Sequence, residues 1–96
     1  MRQFDIVTYN EVAVVVIESD DLPTDARVVV IPIEMDEGYP AVPRFNPRIE
    51  FGETSGILAT RLVISVNRAV LRPTGYNVED HRDAIVRAID ILMGAY

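Results

Sequence analysis

The chain has no cysteine, no tryptophan and no lysine, and one histidine among its 96 residues. Each absence removes a class of function. Without cysteine there is no disulfide, no thiolate metal site and no cysteine nucleophile. With His81 alone, no metal can be held through two histidines. No apolar run approaches the roughly 20 residues that a membrane-spanning helix needs. The opening Met1-Arg2-Gln3-Phe4-Asp5 leads into no apolar h-region and meets an acid by its fifth residue, so no secretory signal is expected and the expected location is cytoplasmic. No Gly-rich phosphate loop, dinucleotide fingerprint or Walker pattern occurs, and no cofactor is expected.

Positive charge is also scarce. Nine arginines face fifteen acidic residues, for a formal net charge of −6 and a pI near 4.6. The arginines (Arg2, Arg27, Arg44, Arg48, Arg61, Arg68, Arg72, Arg82, Arg87) are spread thinly along the chain. Such a field repels phosphate at long range, so direct tight binding to free nucleic acid is disfavoured and protein partners are favoured.

What is present reads as one globular domain over residues 1–96. Hydrophobic residues make up 49% of the chain and charged residues 25%, an ordinary globular balance. A chain of this size buries roughly 64% of the surface its unfolded form exposes. Residues 1 to about 72 read as strands and turns. Phe4, Ile6 and Thr8 alternate with Asp5 and Val7, and after a turn at Tyr9-Asn10-Glu11 the β-branched run Val12 to Ile17 predicts a strand buried on both faces or paired at a dimer or barrel seam, the two forming a hairpin. Asp20 to Asp25 is loop chemistry around Pro23. Arg27 to Ile33 is a third strand, with Pro32 expected at an edge or bulge because it has no amide proton to donate. After the prolines at 40, 43 and 47, Asn46 to Phe51 predicts a strand, Gly52 to Gly56 a turn, and Ile57 to Thr60 another strand. Val63 to Val70 fits either a strand or a helical turn. From Asn77 onward the pattern is helical: Asn77 as N-cap, Glu79 and Asp80 in the first turn, Val78, Ile85, Ala88, Ile89 and Leu92 on one face, and Gly94 just past the end. Short strands punctuated by Gly and Pro, then one helix, predict a mainly β (α+β) barrel or coiled sheet.

Candidate chemistry is thin. His81 could act as a general base beside Asp80 or Asp83, yet a first-turn histidine is usually solvated. Ser19, Ser55 and Ser65 lack the glycines of a nucleophile elbow. The acidic runs Glu18-Ser19-Asp20-Asp21 and Glu34-Met35-Asp36-Glu37 match no calcium loop, and no metal site is expected. The end Leu92-Met93-Gly94-Ala95-Tyr96 is apolar with an aromatic residue, a fair shape either for recognising a protein or for docking on the chain's own sheet.

In order along the chain, Met1 to Asn10, Glu18-Ser19-Asp20, Arg27 to Ile33, Asn46 to Glu53, Thr60 and Arg82 to Gly94 resemble the landmarks of the CcdB family, with Arg27-Val28-Val29-Val30-Ile31-Pro32-Ile33 the most specific. The resemblance implies a small SH3-like barrel with one C-terminal helix, working as a homodimer. It further implies a non-enzymatic toxin of a type II toxin–antitoxin pair, which binds the A subunit of DNA gyrase, trapping the gyrase–DNA cleavage complex. A cognate antitoxin with a disordered C-terminal segment would neutralise it. The gyrase contact falls by resemblance on Met93, Gly94, Ala95 and Tyr96. The family's tryptophan at this contact is missing, its place taken by Gly94 or, with one gap, by Met93. Two alternatives stay open: an endoribonuclease toxin on the same barrel, drawing on Arg27, Arg61 or His81, and a family member that keeps its antitoxin but no longer poisons gyrase.

Overall fold

The structure, a computed structural model, describes residues 1–35 and 38–94. Seven strands form: β1 (Asp5–Tyr9), β2 (Val12–Val16), β3 (Arg27–Glu34), β4 (Arg48–Phe51), β5 (Thr54–Leu58), β6 (Ile64–Asn67) and β7 (Arg72–Asn77). Single 3-10 turns occupy Thr60–Leu62, Arg68–Val70 and Glu79–His81, and the helix α1 runs Arg82–Met93. The strands pair antiparallel in the order β4-β5-β3-β2-β1-β7, and β6 also pairs with β3. The result is a mainly β fold, a curled half-barrel sheet closed against one C-terminal helix, as a small SH3-like barrel requires. No helix of the described residues is long and apolar enough to cross a membrane.

Strand parity sorts the apolar residues into two cores. Successive side chains on a strand point to opposite faces. On β3, Ile31 and Ile33 point to one face and Val28 and Val30 to the other; on β2, Val15 is divided from Val14 and Val16; on β1, Ile6 from Val7. The first face packs with Phe4, Ile49, Leu58, Val78 and the helical residues Ile85 and Ala88. The second is closed by the sheet's own curl, with Val66 and Leu71 completing a cluster of six valines and one leucine. Short valines suit the tighter interior, and longer isoleucines fill the gap to the helix.

Within the β-branched run, Val14 to Val16 are therefore buried on both faces, one of the two arrangements its composition predicts, while Val12 at its start is exposed. Val7 is buried as well, so β1 is not the simple one-sided strand that its alternation suggests. The first turn is only Asn10-Glu11, with φ values of 48° and 68° and Tyr9 paired to Val12. Two left-handed residues match the twist of a two-residue hairpin.

Pro32 lies at neither an edge nor a bulge but inside β3, paired with Val14 of β2. Its carbonyl accepts from the Ala59 amide on the opposite side. A strand residue's N–H and C=O point the same way, so its missing donor would face the interval where β3 changes partner, from β6 at Val30 to β5 at Ile33. No ladder bond is lost there.

Further elements differ from the sequence pattern. The turn expected over Gly52 to Gly56 shrinks to Gly52-Glu53, because Phe51 already pairs with Thr54. Gly56 is in β5, where a Cβ would collide with Ile33 Cγ2. β5 ends at Leu58, and Thr60 begins a 3-10 turn rather than extending a strand. Residues 63–70 contain both predicted alternatives, β6 and then a 3-10 turn. The helix begins at Arg82, not Asn77: the Asn77 side chain accepts the Glu79 amide at 2.9 Å and so caps a 3-10 turn ahead of it.

Gly52 and Gly75 separate strain from collision. Both have positive φ, but a Cβ on Gly52 would sit 2.6 Å from Tyr76 Oη while one on Gly75 meets nothing within 4 Å. Gly75→Ala is expected to lose about 1 kcal/mol and Gly52→Ala about 2–3 kcal/mol in urea denaturation. Equal losses would show that Tyr76 yields freely.

Candidate functional site

The helix is fixed along its length and left bare at its end. Ile85 and Ala88 are fully buried, and the Arg82 guanidinium lies 5.5 Å over the Phe4 ring. Gly94 closes the helix with φ 73°, its amide donating to the Asp90 and Ile91 carbonyls. That left-handed cap is the role its position predicts. Just before it, Met93 is 73% exposed, more than any other large apolar side chain described. The last turn carries no basic residue and does carry Asp90, so the negative end of the helix dipole is unopposed from within the helix.

Ile91 and Leu92 face sideways into a shallow cleft of about 290 Å³ that is completed by Val42, Phe45 and Arg61. Leu92 thus lines this cleft, only partly buried, instead of joining the core. Phe45 is held from beneath. The Thr60 hydroxyl donates to the Phe45 carbonyl, and the Asn46 side-chain amide donates to the Leu58 carbonyl at 3.1 Å. Both polar side chains are buried, Thr60 completely. Above, the Arg61 guanidinium stacks 5.2 Å from the Phe45 ring centroid. Beyond it Leu62, Val63 and Ile64 follow in sequence, each exposed, and Val42 is half exposed. Together they leave apolar side chains exposed in succession.

Of the four residues singled out at the chain's end, Met93 and Gly94 are placed as described, and Ala95 and Tyr96 lie outside the described residues, as do Asp36 and Glu37 of the second acidic run. The 61–64 segment, Val42 and Phe45 were not legible as one face, because the loop containing Phe45 is tied to this region by long-range bonds from Thr60 and Asn46. A run of three apolar residues after Arg61 was the available signal.

The other candidates are dispersed. His81 Nε2 accepts the Glu50 amide at 3.3 Å, tying β4 to the start of the helix. Ser19 accepts from Asp21, Ser55 from Arg48 and Ser65 from Arg27, so each hydroxyl is held by a partner other than His81. Arg27 lies along β6, Arg61 over Phe45 and His81 against β4, and these three are not brought into one cleft. Among the described residues no group of three His, Asp or Glu side chains could hold a metal ion.

Residues 3–94 match the family model of the CcdB protein. The chain belongs to the CcdB family. Membership over nearly the whole length implies a toxin of a toxin–antitoxin system and fits the barrel and helix found here. No curated protein matches the chain.

Within this CcdB fold, the Thr60–Phe45 bond is one of the ties that position the apolar cleft. Thr60→Val keeps the shape and removes the donor, leaving a buried carbonyl unsatisfied, so a loss of about 1–3 kcal/mol in chemical denaturation is expected. Unchanged stability would show that the loop needs no such tie.

Proposed function

We propose that this protein is the toxin half of a type II toxin–antitoxin pair, a non-enzymatic poison that binds the A subunit of DNA gyrase, trapping the gyrase–DNA cleavage complex. The match to the CcdB family over residues 3–94 carries this reading. The geometry supports it: a capped helix presents Met93 outward at the residues where the family makes its gyrase contact, with Gly94, Ala95 and Tyr96 following. Methionine is unbranched and polarisable, and adapts to an apolar pocket without the shape demands of an indole. Loss of a central aromatic anchor costs about 2 kcal/mol or more, roughly thirtyfold in affinity. A weaker poison than a tryptophan-bearing one follows. The net charge of −6 suits a protein target and makes gyrase, rather than this chain, the partner that touches DNA.

The homodimer and the antitoxin belong to the same proposal. Leu62, Val63, Ile64 and Val42 offer a second copy an apolar strip beside the helix end. A cytoplasmic antitoxin with a disordered segment would then cover the toxin until it is degraded.

The test is a cleavage assay with purified gyrase, supercoiled plasmid, ATP and increasing protein. Linear DNA released by denaturant and protease is expected, and about tenfold more Met93→Glu protein should be needed for the same yield. Absence of linear DNA with folded protein in excess over several gyrases, the host's own included, would sink the gyrase reading. Sedimentation supplies a separate check: the wild type should run as a dimer and Val63→Glu as a monomer.

A further inference from the structure

Lacking cysteine, the chain offers an oxidant only three sulfur atoms, those of Met1, Met35 and Met93, and lacking tryptophan it has no indole to share the damage. No thiol stands ahead of the methionines to consume a two-electron oxidant first. The fold gives the three thioethers different surroundings. The Met1 sulfur accepts from Arg68 Nη1 at 3.8 Å, so a guanidinium draws on the lone pair that an oxidant would take. The Met35 sulfur is seated against β5, 2.9 Å from where a Cβ on Gly56 would stand, and its side chain lines a cleft with Tyr39, Arg48 and Ile57. Met93 has neither restraint. It is 73% exposed, against 51% for Met1 and 45% for Met35, and its sulfur takes no hydrogen bond from the described residues.

Met93 is also the methionine whose polarity matters to a contact and not to the fold. It belongs to neither buried core, and the cleft beside it is lined by Val42, Phe45, Arg61, Ile91 and Leu92 instead. The Gly94 cap bonds back to the Asp90 and Ile91 carbonyls, so the Met93 side chain leaves from a fixed turn of backbone. That last turn holds Asp90 and no basic residue. Nothing on the helix can therefore donate to an oxygen placed on the Met93 sulfur, and such an oxygen keeps its water. A sulfoxide is polar and chiral where the thioether is apolar and adaptable. At the desolvated centre of a contact, water held in this way is retained at the expense of affinity.

We propose that Met93 is a redox modification site, oxidised by peroxide ahead of Met1 and Met35, and that its sulfoxide reversibly weakens the toxin. The selectivity stands on the surroundings of the three sulfurs alone, whereas the loss of toxicity rests on the gyrase reading above. In the step itself the thioether sulfur attacks one oxygen of hydrogen peroxide with its lone pair. The S–O bond forms and the O–O bond breaks. The departing hydroxide takes the proton of the transferred oxygen and leaves as water, so sulfur loses the two electrons that the peroxide gains. A dithiol reductase reverses the change, releasing the oxygen as water while its two thiols close to a disulfide.

The experiment treats the full-length protein with graded hydrogen peroxide and divides each sample between peptide mass mapping, a thermal melt and the gyrase cleavage assay. Met93 is expected to oxidise about fivefold or more faster than Met1 and Met35, with the melt unchanged. Protein oxidised at Met93 alone should be needed at about tenfold higher concentration for the same linear DNA. Methionine sulfoxide reductases for both epimers, with dithiothreitol, should restore the original yield. Met93→Leu keeps an apolar side chain that cannot take the oxygen, so whatever its potency before peroxide, it should have the same potency after. Equal oxidation rates at the three methionines, undiminished cleavage after full oxidation of Met93, or a loss in Met93→Leu as large as in the wild type would each overturn the proposal. Absence of linear DNA before any peroxide is the separate failure of the gyrase reading, and the switch falls with it.

Discussion

Burial of β3 on both faces is the constraint from which the other elements follow. Eight residues with three neighbouring strands supply Val28 and Val30 to one core and Ile31 and Ile33 to the other. A strand buried this way cannot slip by one residue, because a slip exchanges every side chain between a core sized for valine and a core sized for isoleucine. Pro32 sharpens the point. It is tolerated only where β3 passes from β6 to β5, so it fixes where the sheet divides and where β5 and the Thr60 turn must lie. Deleting a buried side chain from this strand would cost about 2–5 kcal/mol, a large share of a small domain's stability.

The exposed end of the helix depends on that interior. Val78, Ile85 and Ala88 seat the helix on the isoleucine face, which sets the direction in which Ile91, Leu92 and Met93 emerge. From the other side, Thr60 follows β5 by one residue, Ala59, and binds the loop bearing Phe45. The apolar cleft is therefore assembled from two segments, each referred back to the same core. Rigid elements hold recognition residues with less loss of entropy on binding than a free terminus would allow.

The strands rich in Val and Ile and the helix were legible because burial writes itself into composition. β7 was not: none of Arg72-Pro73-Thr74-Gly75-Tyr76-Asn77 is buried. It is held by hydrogen bonds instead, Thr74 Oγ1 to the Ile6 carbonyl and Asn77 Nδ2 to Gln3 and Asp5. Bonds of that kind leave no periodicity. The helix start was misplaced for a related reason, since Asn77 shows the same capping chemistry before a 3-10 turn as before an α-helix. Of the candidate site, Met93 and Gly94 were visible as an apolar end with a cap glycine. Phe45, Arg61 and Val42 were not, because their meeting depends on long-range bonds from Thr60 and Asn46.

A poison differs from an ordinary binder in that it must stay while its target attempts to turn over. Residence is set by dissociation, and dissociation by desolvated anchors at the centre of a contact, whereas surface charge acts mostly on association. On the proposed reading, with Gly94 or, allowing one gap, Met93 in the place of the family's indole, one anchor gives a shorter stay. On that reading the proposed dimer restores part of the loss: presenting two such ends to one target makes the second contact intramolecular, and avidity can exceed either single affinity by about 10²–10⁴ if the geometry permits both. On the proposed reading, the apolar strip at Leu62 to Ile64 is thus as necessary to toxicity as the residue that touches gyrase, and weakening of the single anchor raises the demand on the dimer rather than abolishing the activity.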